Sequence, residues 1–185
     1  MNEVHVWQAR LDSSEWPQCN HLPAAERDRA SAIVRPAARE RWVASRWALR
    51  GVLGRYLERP AAEVELRFGD HGKPALADPG SSLRFNLSHS GELALIVVAI
   101  GREVGVDVER VGARPAEFYV EWTRREAIAK CFGTGLGTPA PEAAVTTIEL
   151  DPEPGFVAAI AAAGQASPQL RRFSAEPASL GLDRC

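Results

Sequence analysis

The stretch from Phe85 to Glu109 constrains the fold of this chain more than any other. It opens Phe-Asn-Leu-Ser-His-Ser, passes through Gly-Glu, and continues as eight apolar residues, Leu93 to Ile100. Eight are too few to cross a bilayer and right for a buried strand. A Gly-Arg-Glu turn leads into strict alternation, with Val104, Val106 and Val108 on one side and Asp107 and Glu109 on the other. At ~3.4 Å per residue the two carboxylates share a strand face about 7 Å apart. Like charges held that close repel, so the pair favours a cation beside it. Two oxygen donors at this spacing suit Mg²⁺, which takes one or two carboxylates and completes its shell with water and phosphate oxygens. A solvated hairpin strand with its acids facing water would show the same pattern.

Downstream, Ala127, Ile128, Cys131 and Phe132 recur at helical spacing over Trp122–Phe132, with Gly133 and Gly135 as a stop. Glu126 and Lys130 are four apart and share a face of that helix. Thr123 with Glu126 fits a capping box, and Glu126 with Lys130 fits a surface ion pair. Upstream, Val4–Leu11 reads as a strand and Ala24–Val34 as a short polar helix. The longest helix is expected at Ala37–Leu57, with Trp42, Ser45, Leu49, Val52, Leu53 and Tyr56 in one stripe. Arg39, Arg41, Arg46, Arg50 and Arg55 lie around the rest of it. Arginines so placed are either solvated surface or donors to phosphate oxygens. Val64–Phe68, Thr146–Leu150 and Leu170–Phe173 read as further strands, with an apolar run at Phe156–Ala163. Gly69–Pro74 is a turn without the pattern of a phosphate-cradling glycine loop. His89 reads as a hydrogen-bonded loop residue. Strands gathered around two principal helices predict an α+β fold.

With 185 residues, 45% of them apolar, the chain forms one domain or two small lobes around a real core. A formal net charge of −2 argues against a general nucleic-acid binder, so any basic site is local. The N-terminal residues lack a signal-peptide pattern. Cys19, Cys131 and Cys185 share no metal-ligand spacing and are odd in number, which suits reduced thiols in a cytoplasm. No membrane or nucleic-acid partner is expected.

Taken together, Phe85–Ser90, Gly105-Val-Asp-Val-Glu109 and Trp122-Thr-Arg-Arg-Glu-Ala-Ile-Ala-Lys130 closely resemble the 4′-phosphopantetheinyl transferases of the Sfp type. The resemblance implies two similar α+β lobes with the site between them, residues 1–103 holding coenzyme A and residues 104–185 carrying the metal and catalytic groups. It implies a Mg²⁺-dependent, monomeric enzyme that moves phosphopantetheine from coenzyme A to a serine of an acyl or peptidyl carrier protein. Asp107, Glu109 and Glu126 match the family's acidic metal positions, and Glu126 and Lys130 are the implied base and phosphate-stabilising cation. Arg125 stands where the family motif has its first lysine. Arg41 and Arg29 match positions that bind the 3′-phosphate of coenzyme A, and Ser88 with His89 a further phosphate contact. Lys73 would lie on phosphate and Pro74 beside adenine. Two other readings fit the same residues, a binding module without transfer activity and a Mg²⁺-dependent phosphohydrolase of coenzyme A. Only twelve residues, Arg110 to Glu121, separate Glu109 from Trp122. The family has a longer, helix-containing connection there that helps receive the carrier, so this chain is expected to have no helix in that interval and a reduced docking surface.

Overall fold

The computed structural model describes residues 2–69, 73–134 and 145–182. It is a mixed α+β structure of nine strands and three α-helices among those residues. One four-stranded sheet runs in the order β4 (Leu83–Ser90), β5 (Leu93–Ile100), β1 (Glu3–Arg10), β9 (Gln169–Ser174). A second, three-stranded sheet runs β6 (Val104–Arg110), β8 (Phe156–Ala163), β7 (Val145–Leu150). β2 (Leu66–Phe68) and β3 (Pro74–Leu76) form a separate hairpin. Helix α1 spans Ala24–Ser31, α2 Pro36–Leu57 and α3 Ala116–Phe132. β9 pairs in parallel with β1, so the last strand returns to the sheet begun by the first. No helix among the described residues is long and apolar enough to cross a membrane.

The layers follow from residue alternation. On β5, Ala94, Ile96 and Val98 pack with Trp47, Leu49, Val52 and Leu53 of α2. The intervening Leu93, Leu95, Val97 and Ala99 pack against Val104, Val106 and Val108 of β6 and Ile160 of β8. Ala159 and Ala161, on the far face of β8, meet Ala127, Ile128 and Cys131 of α3. The order is therefore α2, first sheet, second sheet, α3. β5 is buried on both faces, which is why it reads as a continuous apolar run. The small residues opposite α3 let the helix lie close to its sheet. At Gly105 an added Cβ would overlap the Ala127 carbonyl and the Cys131 backbone.

The structure corrects several expectations. His89 is in a strand, not a loop, and Ser88 and His89 point to opposite sides of it. Arg50 is not on the solvated face of α2. It is buried, with Nε donating to Glu26 Oε2 at 2.7 Å and NH1 to the Val64 carbonyl at 2.8 Å. Pro36, whose missing N–H is harmless at a first helical position, begins α2 one residue before the expected start at Ala37. The interval 110–121 does contain helix, because α3 starts at Ala116, behind Pro115 in extended conformation. Thr123 is consequently not a cap. It is buried inside α3 and donates to the Val120 carbonyl at 3.0 Å. Gly133 ends α3 in the left-handed region, at φ 69°, where only glycine is unstrained. The expected stop at Gly135 and residues 70–72 of the Gly69–Pro74 turn lie outside the described residues.

Candidate active site

β4 and β6 are neighbours joined through side chains. Asn86 Oδ1 accepts from the Val106 N–H at 3.0 Å, Ser88 Oγ from Val108 at 3.4 Å, and Ser90 Oγ from Arg110 at 3.1 Å. Alternate residues of β4 thus satisfy the free backbone edge of β6, which would otherwise be an open edge of its sheet. This is what the polar Asn-x-Ser-x-Ser pattern does. Pattern reading found the polar cluster but not this use, for which alternate polar residues beside an apolar strand are the signal.

Two of these hydroxyls also hold the acids. Ser88 donates to Asp107 Oδ1 at 2.8 Å, and Ser90 to Glu109 Oε2 at 2.9 Å. Lys130 reaches in from α3, its Nζ donating to Asp107 Oδ1 at 2.6 Å and to Ser88 Oγ at 3.1 Å. Asp107 is 3% exposed, so the reading of a solvated acidic hairpin does not hold. Lys130 is committed to Asp107 instead of forming a surface pair with Glu126. Burial raises the Glu126 pKa above the ordinary carboxylate value; Lys130 opposes the rise, while the nearby negative charges of Asp107 and Glu109 add to it. The three acids and the lysine thus share one electrostatic environment.

Among the described residues no three acidic, histidine or cysteine side chains form a ready-made metal cage. The fit to a divalent ion rests instead on Asp107 Oδ2, which is buried and bonded to nothing. A buried bare carboxylate oxygen is costly unless something charged meets it. With Glu109 beside it, this donor set matches the one or two carboxylates that Mg²⁺ takes from a protein.

His89, on the other side of β4, is directed toward α2. Although the residue reaches solvent at the rim, local burial of its imidazole, then the positive charges of Arg46 and Lys130, push it down to about 4, so it is neutral at pH 7. Arg46 retains some exposed surface, yet its Nε is buried without a hydrogen-bond partner and its guanidinium lies 5.2 Å from the Trp42 ring centre. Burial, reinforced by the neighbouring Arg29 and Arg50 and opposed by Glu26, pushes Arg46 down to about 10. Arg46 and Lys130 thus act electrostatically on a neutral His89, and Arg29 acts on Arg46, while the charge of Lys130 is met by Asp107. Sequence reasoning did not single out Arg46, since nothing distinguishes it from the other arginines of α2 except its turn of the helix. Arg41 is not part of this arrangement. It lines a different hollow with Asp12, Trp16 and Arg39, and its charge acts on Asp12.

Lys73 and Pro74 line a cleft of about 500 Å³ with Arg67, Arg84 and Phe132. Lys73 Nζ donates to the Cys131 carbonyl at 2.8 Å, which ties this cleft to the last turn of α3, next to Lys130. Burial pushes the Cys131 thiol up to about 11, so it is inert core. Arg125 pairs with Glu121 at 2.7 Å on the exposed side of α3. At the start of α3, Arg114 lies 4.3 Å from the Phe118 ring centre, and Phe118 stacks on Trp122 at 6.2 Å. Both rings are 38% exposed, and Glu126 follows Trp122 by one further turn.

Known proteins share this chain's pattern. Residues 6–100 match the family model described as 4′-phosphopantetheinyl transferase, N-terminal. The chain is 32% identical to 4′-phosphopantetheinyl transferase HetI of Nostoc sp., over 88% of this chain and 89% of that protein. It is 34% identical to 4′-phosphopantetheinyl transferase AcpT of Escherichia coli, over 60% of this chain and 66% of AcpT. It is 29% identical to a phosphopantetheinyl transferase of Thraustochytrium sp., over 73% of this chain and 59% of that protein. The HetI match spans 213 positions, whereas 88% of 185 residues is about 163, so about 50 positions of the match face gaps in this chain. A family model covering half the chain, and a relative matched along nearly all of it, mean that the chain belongs to the 4′-phosphopantetheinyl transferase family.

Proposed function

We propose that the protein transfers the phosphopantetheine group of coenzyme A to a serine of an acyl or peptidyl carrier protein and releases 3′,5′-ADP. The single observation that carries the catalytic reading is Asp107, buried, with one oxygen held by Ser88 and Lys130 and the other bare. In this reading the chain divides near Glu103 into a nucleotide-holding part and a catalytic part, with β9 returning to the first.

In the proposed reaction the carrier serine oxygen attacks the β-phosphorus of coenzyme A, and the bond from that phosphorus to the leaving 3′,5′-ADP breaks. The serine proton passes to Glu126, directly or through a water. Lys130 stands where its ammonium neutralises charge growing on the phosphoryl oxygens. Asp107, Glu109 and Glu126 would hold Mg²⁺, which when bound supplies positive charge against the pyrophosphate. Ser88 and Ser90 keep the first two acids oriented. We assign the 3′-phosphate to Arg46, Arg29 and His89, and leave Arg41 out because it turns toward Asp12.

The test is mass spectrometry of an apo carrier protein incubated with the enzyme, coenzyme A and Mg²⁺. Transfer adds one phosphopantetheine mass to the carrier. Consumption of coenzyme A without that addition, or no reaction with any acyl or peptidyl carrier, overturns the proposal.

A further inference from the structure

The cleft lined by Lys73 and Pro74 is walled by three cationic side chains, Arg67, Lys73 and Arg84, and by two carboxylates, the exposed Asp78 and a second that is ion-paired to two of the cations. The second is Glu103, in the turn between β5 and β6. Its two oxygens go to two different cations, Oε2 to Lys73 Nζ at 3.2 Å and Oε1 to Arg84 Nε at 2.7 Å. Both cations are also fixed by backbone carbonyls, Lys73 by Cys131 at 2.8 Å and Arg84 by Ser81 at 2.6 Å. Neither cation therefore needs Glu103 to keep its place. What Glu103 provides is a pair of anionic oxygens bridging a lysine and an arginine, the arrangement a phosphate group would make with the same two residues. Glu103 is 43% exposed on its side chain, so it can swing into solvent, and ion pairs this open are weak and easily exchanged.

We propose that Glu103 is a resident competitor for the phosphate-bearing substrate: it occupies Lys73 and Arg84 until a nucleotide phosphate displaces it, and so sets the affinity of the cleft. The inference rests on the reading of the protein as a coenzyme A-dependent transferase. It distinguishes Glu103 from a structural brace, because a brace stabilises the bound state whereas a competitor opposes it.

The experiment is calorimetric titration of the whole chain with 3′,5′-ADP, comparing wild type with Glu103→Gln. The variant binds about 3–5-fold tighter, the scale of one exposed ion pair. The difference narrows as salt is raised. Uncharged adenosine shows no such gain. In a Lys73→Met background the gain from Glu103→Gln shrinks, since one of the two cations it would release is gone. Glu103→Asp, too short to bridge both cations, falls between wild type and the glutamine variant and guards against an isolated folding defect. Equal or weaker binding of 3′,5′-ADP by both variants, with wild-type unfolding profiles, makes Glu103 a brace and overturns the proposal alone. No binding of 3′,5′-ADP to the wild type overturns the transferase reading and this role with it.

Discussion

Lys130 Nζ lies 2.6 Å from Asp107 Oδ1, while Asp107 Oδ2 is buried without a partner. The pair is unequal, because the aspartate side chain is 5% exposed and the lysine 31%. The lysine can retract toward solvent, whereas the acid is held by Ser88 and cannot follow. A second cation arriving at the bare oxygen is therefore compatible with the pair.

Asp107→Asn keeps the shape of the side chain and an oxygen for Ser88 and Lys130, but removes the charge. The fold is expected to survive, with transfer reduced more than ~100-fold, the scale of losing one group that stabilises transition-state charge. Mn²⁺ binding followed by paramagnetic resonance weakens in parallel. Near-normal turnover by the variant at saturating Mg²⁺ would remove Asp107 from the catalytic reading.

Ser90→Ala isolates the second hydroxyl. It leaves the Arg110 N–H to water at an exposed edge and releases Glu109 Oε2. Partners that orient a ligand typically account for about 10–100-fold in metal affinity. We expect the lower end, because Glu109 is only half-buried. The variant needs more Mg²⁺ for half-maximal rate while its maximal rate stays within a few-fold, and Ser90→Thr restores the lost affinity. A fall in maximal rate alone, with Mn²⁺ affinity unchanged, would contradict the orienting role.

These effects explain which parts of the molecule were legible in sequence. β5 was found residue for residue, because a strand buried on both faces leaves an uninterrupted apolar run bounded by glycines. α2 was found to within one residue, because a long helix repeats its apolar stripe often enough to outweigh local noise. The start of α3 was missed by six residues. Its first turns carry Phe118 and Trp122 partly exposed, so the apolar period that marks a packed helix is absent there. Asp107, Glu109, Glu126 and Lys130 were marked by the family resemblance rather than by spacing, which alone fits a solvated strand and a surface ion pair equally well. Arg46 could not be separated from Arg41, because which arginine of α2 faces β4 depends on how the helix packs, a tertiary fact. The commitment of Lys130 to Asp107, 23 residues away, is of the same kind.

His89 gives a pH signature. Its folded pKa, about 4, is below the ordinary value near 6.5, so the folded state resists protonation more than the unfolded chain does. The stability this contributes is fully present above pH ~6.5 and is lost as pH falls toward 4. Wild type should therefore lose melting temperature relative to His89→Gln across that window, and a phosphate ligand such as 3′,5′-ADP should reduce the difference by countering the charges of Arg46 and Lys130. Parallel melting curves for the two proteins from pH 7 to 4.5 would mean that neither burial nor those cations hold His89 down.

Gly105→Ala tests the seat of α3. The methyl would meet the Ala127 carbonyl and the Cys131 backbone, which cannot turn aside as a flexible side chain would. Overpacking costs about 1–3 kcal/mol, and at this chain length each kcal/mol lowers the melting temperature by about 2–4 °C. Because Glu126 and Lys130 ride on the displaced helix, transfer should fall by more than the loss of folded protein explains. An unchanged melting temperature together with unchanged activity would show that the helix tolerates the shift.

The last expectation concerns how a carrier protein is received. About 50 positions of the HetI match have no counterpart here, and an irregular, featureless 110–121 interval was expected to leave little docking surface. Half of that interval is instead the first turns of α3; there Arg114 lies on Phe118, which stacks in turn on Trp122 just beyond the interval. At 1.5 Å per residue, Phe118 is ~12 Å along the helix from Glu126, within the footprint of a small folded partner whose serine meets that acid in the proposed reaction. Partly exposed stacked aromatics beside an arginine have the composition of an interface anchor, and truncating such anchors commonly costs about 2 kcal/mol or more. Trp122→Ala is accordingly expected to raise the Michaelis constant for a carrier protein at least tenfold, ~1.4 kcal/mol, while the constant for coenzyme A stays as in wild type. Phe118→Ser should act in the same direction, and the two together should be less than additive because the rings touch. Equal rises in both Michaelis constants would mean that the stack supports the active site rather than the partner. If neither constant changes, the carrier docks on another face, and the surface lost with the missing positions has not been replaced by α3.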